Sequence, residues 1–164
     1  MRPRTLVIIP AAGSGTRFGG ELPKQYLLLG GRTILDHTID RFLGSDLVDE
    51  IVVAVSPDRL QPARERVRFV AGGASRQESV TNALAARDGF ELVAAQTPQC
   101  FRASVLRDVL DRAARNGDSG TDEAGLAARY GFPVKVLPGD VRNFKITTPA
   151  DLARAATQVS REAP

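Results

Sequence analysis

Residues 6–9, Leu-Val-Ile-Ile, are apolar without a break and run into Pro10-Ala11-Ala12-Gly13-Ser14-Gly15-Thr16-Arg17. A strand with no polar position has no face to give to water. It belongs inside a sheet that is covered on both sides. It ends in small residues and two glycines, followed by Arg17 and, beyond Pro23, by Lys24. Small residues let backbone N–H groups approach an anion closely, and Arg and Lys neutralise it. The stretch therefore reads as a loop that holds the phosphates of a nucleotide, with Gly19-Gly20 predicting a mobile part when no nucleotide is bound.

Other short apolar runs follow, separated by helical patterns. Thr33 caps a helix to Leu43, with Ile34, Leu35, Thr38, Ile39 and Phe42 at helical spacing. Ile51–Val55 is a second buried strand, Ser56-Pro57-Asp58 a turn into a helical segment near Arg59–Arg66, and Val67–Val70 a third strand. After Gly72-Gly73, Ser75 and Glu78 form a capping box for a helix with Val80, Ala83 and Leu84 on its apolar face. Arg87-Asp88-Gly89 is a turn, Leu92–Ala95 a strand and 96–99 a loop. Val105, Leu106, Val109, Leu110 and Ala113 mark a helix closed near Gly117. Thr121 caps a helix to about Tyr130, which Gly131 stops. Val134–Leu137 is a last strand, and Thr148-Pro149 opens the final helix. Strands alternating with helices predict an α/β fold with a mainly parallel sheet. Ligands of such sheets sit at the carboxyl ends of the strands. The loops at 10–24, 71–76 and 96–99 are then the walls of the site.

A chain of 164 residues makes one domain, large enough to bury roughly 70% of its unfolded surface. Its net charge of +3 suits an anionic small substrate. The cations are scattered, and two Tyr with no Trp offer little to stack on bases, so nucleic acid is not the partner. No run approaches the roughly 18 apolar residues of a membrane span. The apolar run that ends at Pro10 is too short for a signal sequence, and the single Cys100 excludes an internal disulfide. These features predict a cytoplasmic location. His37 has no ligand-spaced partner and Cys100 no paired base, so neither reads as a metal ligand or nucleophile.

The first loop is neither a Walker A sequence nor G-x-G-x-x-G. Pro-Ala-Ala-Gly-x-Gly-x-Arg with Pro-Lys-Gln-Tyr instead resembles the 2-C-methyl-D-erythritol 4-phosphate cytidylyltransferase family. Three later stretches resemble it as well, in the family's order: Gly72-Gly73-Ala74-Ser75-Arg76-Gln77-Glu78-Ser79-Val80, Gln96-Thr97-Pro98-Gln99-x-Phe101, and Thr121-Asp122-Glu123-Ala124 with Phe144-Lys145-Ile146-Thr147-Thr148-Pro149. The resemblance implies a Rossmann-like nucleotidyltransferase fold with helices on both faces of the sheet. It implies that CTP and methylerythritol phosphate are the substrates and that Mg²⁺ takes part. In its terms Arg17 and Lys24 stabilise the transition state. Ala11, Ala12, Gly13 and Gly15 touch the nucleotide, and Gly73, Ala74 and Ser79 surround the cytosine. Lys145 and Thr121 position the acceptor. Arg76 is either a motif arginine at the site or an ion-pair partner, and Thr121 is equally a helix cap.

One departure stands out. Near residues 86–90 the family carries a strand with a His-Asp-Ala-Ala-Arg-Pro motif, further elements and a β-arm, and none of these is in this sequence. By the same resemblance, that segment supplies the aspartate that holds Mg²⁺ and the arm that forms a homodimer. No metal ligand is therefore assignable here. Arg87 resembles the remnant of the arm's Arg-x-Gly turn and is a candidate to bind substrate. Two alternatives stay open: transfer to ribitol 5-phosphate, by a sister family with similar loops, and a nucleotide-binding protein that does not catalyse transfer.

Overall fold

The computed structural model describes residues 2–13, 22–95 and 99–162. In chain order the elements are β1 (Thr5–Pro10), β2 (Leu28–Leu29), β3 (Arg32–Thr33), α1 (Ile34–Leu43), β4 (Glu50–Val55), β5 (Val67–Ala71), α2 (Arg76–Ala85), β6 (Leu92–Ala95), β7 (Gln99–Arg102), α3 (Ala103–Asn116), α4 (Glu123–Arg129) and α5 (Pro149–Glu162). The 164 residues read above as one domain group into two compact units, Met1–Gly13 with Phe42–Lys135 and Ser14–Arg41 with Val136–Pro164. No described helix is long and apolar enough to cross a membrane.

The first unit holds a five-stranded sheet in the order β5-β4-β1-β6-β7. The first four strands are parallel and β7 is antiparallel to β6. The all-apolar run lies at the centre, with Leu6 to Ile9 fully buried. Leu6 and Ile8 pack with Val52 and Ala54 against Val80, Ala83 and Leu84 of α2 and Ala103, Leu106 and Leu110 of α3. The alternate residues Val7, Ile9, Ile51, Val53 and Val55 are equally buried, as the period of two requires when both faces are covered. α3 in turn carries α4 through Val109, Ala113, Leu126 and Ala127.

The second unit begins with a 3-10 turn at Lys24–Tyr26 and the β2–β3 hairpin. Gly30 and Gly31, at φ of 58° and 83°, form its two-residue turn, which demands positive φ at both positions. Thr33 then caps α1: its hydroxyl accepts from the Asp36 amide at 3.0 Å. α5 packs on β2, where Val159 approaches Gly30.

Four local expectations are corrected. Residues 60–66 form no helix, because only Pro57–Arg59 make a 3-10 turn. Pro62 lacks an N–H and holds Gln61 out of the helical region. Gln99 belongs to strand β7 rather than to a loop. The cap of α4 is Asp122, whose carboxylate accepts from the Gly125 amide at 2.8 Å, not Thr121. Val134–Leu137 is not a strand; Val136 is 87% exposed and Leu137 69%. Alternating apolar residues become a strand only where their backbone pairs with a neighbouring strand, and the sheet ends at β7 with no such pairing from them.

Candidate nucleotide site

Parallel β1, β4 and β5 place the ends of all three strands on one edge of the sheet. The Ala11 amide extends the β1–β4 pairing by donating to the Ala54 carbonyl at 2.7 Å, and the Gly72 amide does the same to Val55 at 2.7 Å. The two loops that leave this edge then touch. A Cβ on Gly72 would lie 2.3 Å from the Cβ of Ala12 and 3.0 Å from Ser79 Oγ. Only hydrogen fits there, so Gly72 lets the loop after β5 pack directly on the methyl group of Ala12. Gly13 faces open space, with nothing within 4 Å of where its Cβ would stand.

The second loop is held from within. Ser79 is buried; its hydroxyl accepts from the Gly73 amide at 3.1 Å and donates to the Ser75 carbonyl at 2.9 Å. Glu78 Oε2 accepts from the amides of Ala74 at 2.6 Å and Ser75 at 3.2 Å. Ser75 Oγ accepts from Glu78 N at 3.0 Å, which completes the capping box. The donors of residues 73–75 are thus spent inside the loop, and carbonyl oxygens are what its backbone has left to offer a ligand. Arg76, the first residue of α2, pairs with the buried Glu123 at 3.0 Å. This links the Gly72–Val80 stretch to the Thr121–Ala124 stretch. Thr121 itself is exposed beside that link.

In the second unit, Lys24 Nζ donates to the Ile146 carbonyl at 2.7 Å, which joins the Pro-Lys-Gln-Tyr stretch to Phe-Lys-Ile-Thr-Thr-Pro. Lys145, one residue before, is exposed. Phe144 lies under the Arg154 guanidinium at 4.3 Å. Asp151 accepts four hydrogen bonds from Thr147 and Thr148, which hold its carboxyl down at a pKa of about 2. The predicted Ser75–Glu78 box is present, but sequence reasoning missed its further hold on the Ala74 amide, Glu123 as the partner of Arg76, and Asp151. Thr148-x-x-Asp151 carried a local capping signal, but the distant pairings carried none.

Arg17, Gly15 and the Gly19-Gly20 expectation lie outside the described residues, as does the Gln96–Pro98 part of the third wall. Arg87 sits elsewhere than expected. It pairs at 2.5 Å with Glu50, the first residue of β4. That is the amino edge of the sheet, about 17 Å of strand away from the loops just described. His37 bonds the Leu29 carbonyl at 2.7 Å, and Cys100 is exposed on β7. Among the described residues no group of three or more His, Cys, Asp or Glu side chains is placed to hold a metal ion.

The family model for 2-C-methyl-D-erythritol 4-phosphate cytidylyltransferase matches residues 5–93 and 86–161. The Syntrophus aciditrophicus protein of that name is 30% identical over 230 residues, covering 99% of this chain and 98% of its own. That of Solibacter usitatus is 34% identical over 237 residues, covering 98% and 97%. The solved structure of the Thermus thermophilus enzyme of that name superposes with a TM-score of 0.80 at 27% identity, covering 98% of this chain and 100% of its own. The Francisella tularensis structure gives 0.80 at 27%, covering 94% and 99%. Both relatives align over far more than the 164 residues of this chain. Each carries an internal segment of several tens of residues with no counterpart here, and the two family matches overlap at 86–93, where the sequence departs.

Proposed function

The chain belongs to the 2-C-methyl-D-erythritol 4-phosphate cytidylyltransferase family, and on that premise we propose that it transfers CMP from CTP to 2-C-methyl-D-erythritol 4-phosphate, releasing pyrophosphate. The observation that supports this reading is the meeting of Ala12 with Gly72, which joins two loops of small residues at the carboxyl edge of the sheet, with Gly13 beside them facing open space. A phosphate oxygen of the acceptor attacks the α-phosphorus of CTP. The bond to the bridging oxygen breaks, and pyrophosphate leaves with the electron pair. Negative charge crowds around phosphorus, so catalysis rests on positioning and on cations.

Arg17 and Lys24 supply those cations. Arg17 can bond two phosphate oxygens at once, whereas Lys24 acts as a point charge. Ala11, Ala12, Gly13 and Gly15 line the phosphates. Cytosine differs from uracil by an amino donor, which calls for an acceptor. A Gly73–Ala74 loop whose amides are already bonded to Ser79 and Glu78 supports that selection. Lys145 orients the acceptor phosphate, and Thr121 stands near the methylerythritol moiety.

Members of the family typically depend on a divalent metal, for which Mg²⁺ is the natural partner of a triphosphate. Among the described residues no cluster of three or more His, Cys, Asp or Glu side chains is placed to hold it. The β-arm that the resemblance ties to a homodimer belongs to the same segment without a counterpart. CTP as substrate fits a cytoplasmic enzyme.

The test is pyrophosphate release from CTP with Mg²⁺ and either acceptor. Both relatives are named for methylerythritol phosphate, which favours it over ribitol 5-phosphate. Turnover with ribitol 5-phosphate alone would overturn the acceptor. CTP binding without pyrophosphate release would favour a nucleotide-binding protein.

A further inference from the structure

We propose that Asp151 is a positioning residue for Lys24, acting through the peptide that joins Ile146 to Thr147. The inference rests on the reading of Lys24 as a ligand of the CTP phosphates. Lys24 Nζ donates to the Ile146 carbonyl at 2.7 Å. The amide of Thr147, on the other side of the same planar unit, donates to Asp151 Oδ2 at 2.9 Å. A trans peptide points its C=O and N–H in opposite directions and does not bend between them. The carboxylate and the ammonium therefore grip the two ends of one rigid group.

A helix cap needs less than this. Thr148 alone completes a reciprocal cap on α5: its amide and hydroxyl reach Asp151 Oδ2 at 2.8 and 2.9 Å, and its hydroxyl accepts from the Asp151 amide at 3.2 Å. The two bonds from Thr147, amide and hydroxyl both at 2.9 Å, add nothing to the cap, but they fix the orientation of the Ile146 carbonyl. A negative charge at the N–H end also polarises the peptide and strengthens its oxygen as an acceptor for Lys24. A side chain with a flexible four-carbon stem is thereby held in one place before the nucleotide arrives, which lowers the ordering cost of binding.

The test is a double-mutant cycle read as CTP affinity by calorimetry in Mg²⁺ buffer. Asp151→Asn keeps the shape and removes the charge, and it should weaken CTP about tenfold. In a Lys24→Ala background the same change should alter affinity by less than about twofold, because its effect passes through the lysine. Thr148→Ala, which damages the cap and spares the Thr147 bonds, should leave CTP affinity within about twofold of the parent. Equal losses from Asp151→Asn with and without Lys24 would overturn the proposal, as would a Thr148→Ala loss as large as that of Asp151→Asn. If Asp151→Asn does not fold, Thr147→Val removes one bond and leaves the cap. Its coupling to Lys24→Ala must have the same sign, and zero coupling overturns the proposal. Unchanged affinity in Lys24→Ala alone would remove the phosphate role of Lys24 itself, and the inference with it.

Discussion

The guanidinium of Arg76 lies 3.0 Å from a carboxylate oxygen of Glu123, a side chain only 2% exposed, while Arg76 remains 33% exposed. The asymmetry sets what each substitution costs. Arg76→Ala strands a buried carboxylate and should cost about 3 kcal/mol. Glu123→Gln leaves an arginine that water can still reach and should cost about 1 kcal/mol. Urea unfolding of the two variants measures the difference. Equal losses would mean that the pair is governed by packing rather than by charge.

The contact between Ala12 and Gly72 makes a second prediction. Gly72→Ala places a methyl group 2.3 Å from Ala12 Cβ, where one of the two loops must move. The variant should lose about 1–3 kcal/mol and bind CTP more weakly. Gly13→Ala meets nothing within 4 Å, and its folding stability should change by less than about 0.5 kcal/mol. Ser79→Ala removes the acceptor of the Gly73 amide and should cost about 1–2 kcal/mol. Thermal midpoints beside CTP calorimetry separate loss of fold from loss of binding.

Asp151 predicts the shape of the acid limb. Its carboxyl is lowered from 3.8 to about 2, first by the bond from the Thr147 amide and then by those from the hydroxyls and amide of Thr148 and Thr147. A depressed carboxylate adds stability that is fully present above its unfolded value of 3.8 and is lost as the pH falls through about 2. The gap in thermal midpoint between the parent and Asp151→Asn should therefore be constant above that range and shrink within it. A gap that stays constant down to pH 2 would show that the charge of Asp151 adds no stability.

What the sequence reveals follows the range of each interaction. Leu6–Ile9 and the Ser75–Glu78 box were legible because burial on both faces and reciprocal capping are written in adjacent residues. Thr121 and Asp122 are both good caps, and sequence alone does not say which side chain turns toward the Gly125 amide. β7 and the false strand at 134–137 depend on which backbone finds a partner, and that is settled by the sheet, not by the segment. Lys24 and Ile146 meet across 122 residues and Arg76 and Glu123 across 47, so no periodicity announces them. The family motifs bring such residues onto one page without saying which pairs touch.

Arg87 supplies the last prediction. Its Nε lies 2.5 Å from Glu50, whose side chain is 13% exposed and also lies 3.9 Å from Arg68. Both partners stand at the amino edge of the sheet, and the nucleotide loops leave the opposite edge. Arg87→Ala should therefore act on stability alone. Arg68 remains to share the charge of Glu50, so the loss should be about 1 kcal/mol. The KM values for CTP and for methylerythritol phosphate should stay within about twofold of the parent, since a group that does not touch the substrate removes no uniform binding. A large rise in the acceptor KM at unchanged thermal midpoint would return Arg87 to the substrate and show that the turn at 87–89 reaches a site other than the one at the carboxyl edge.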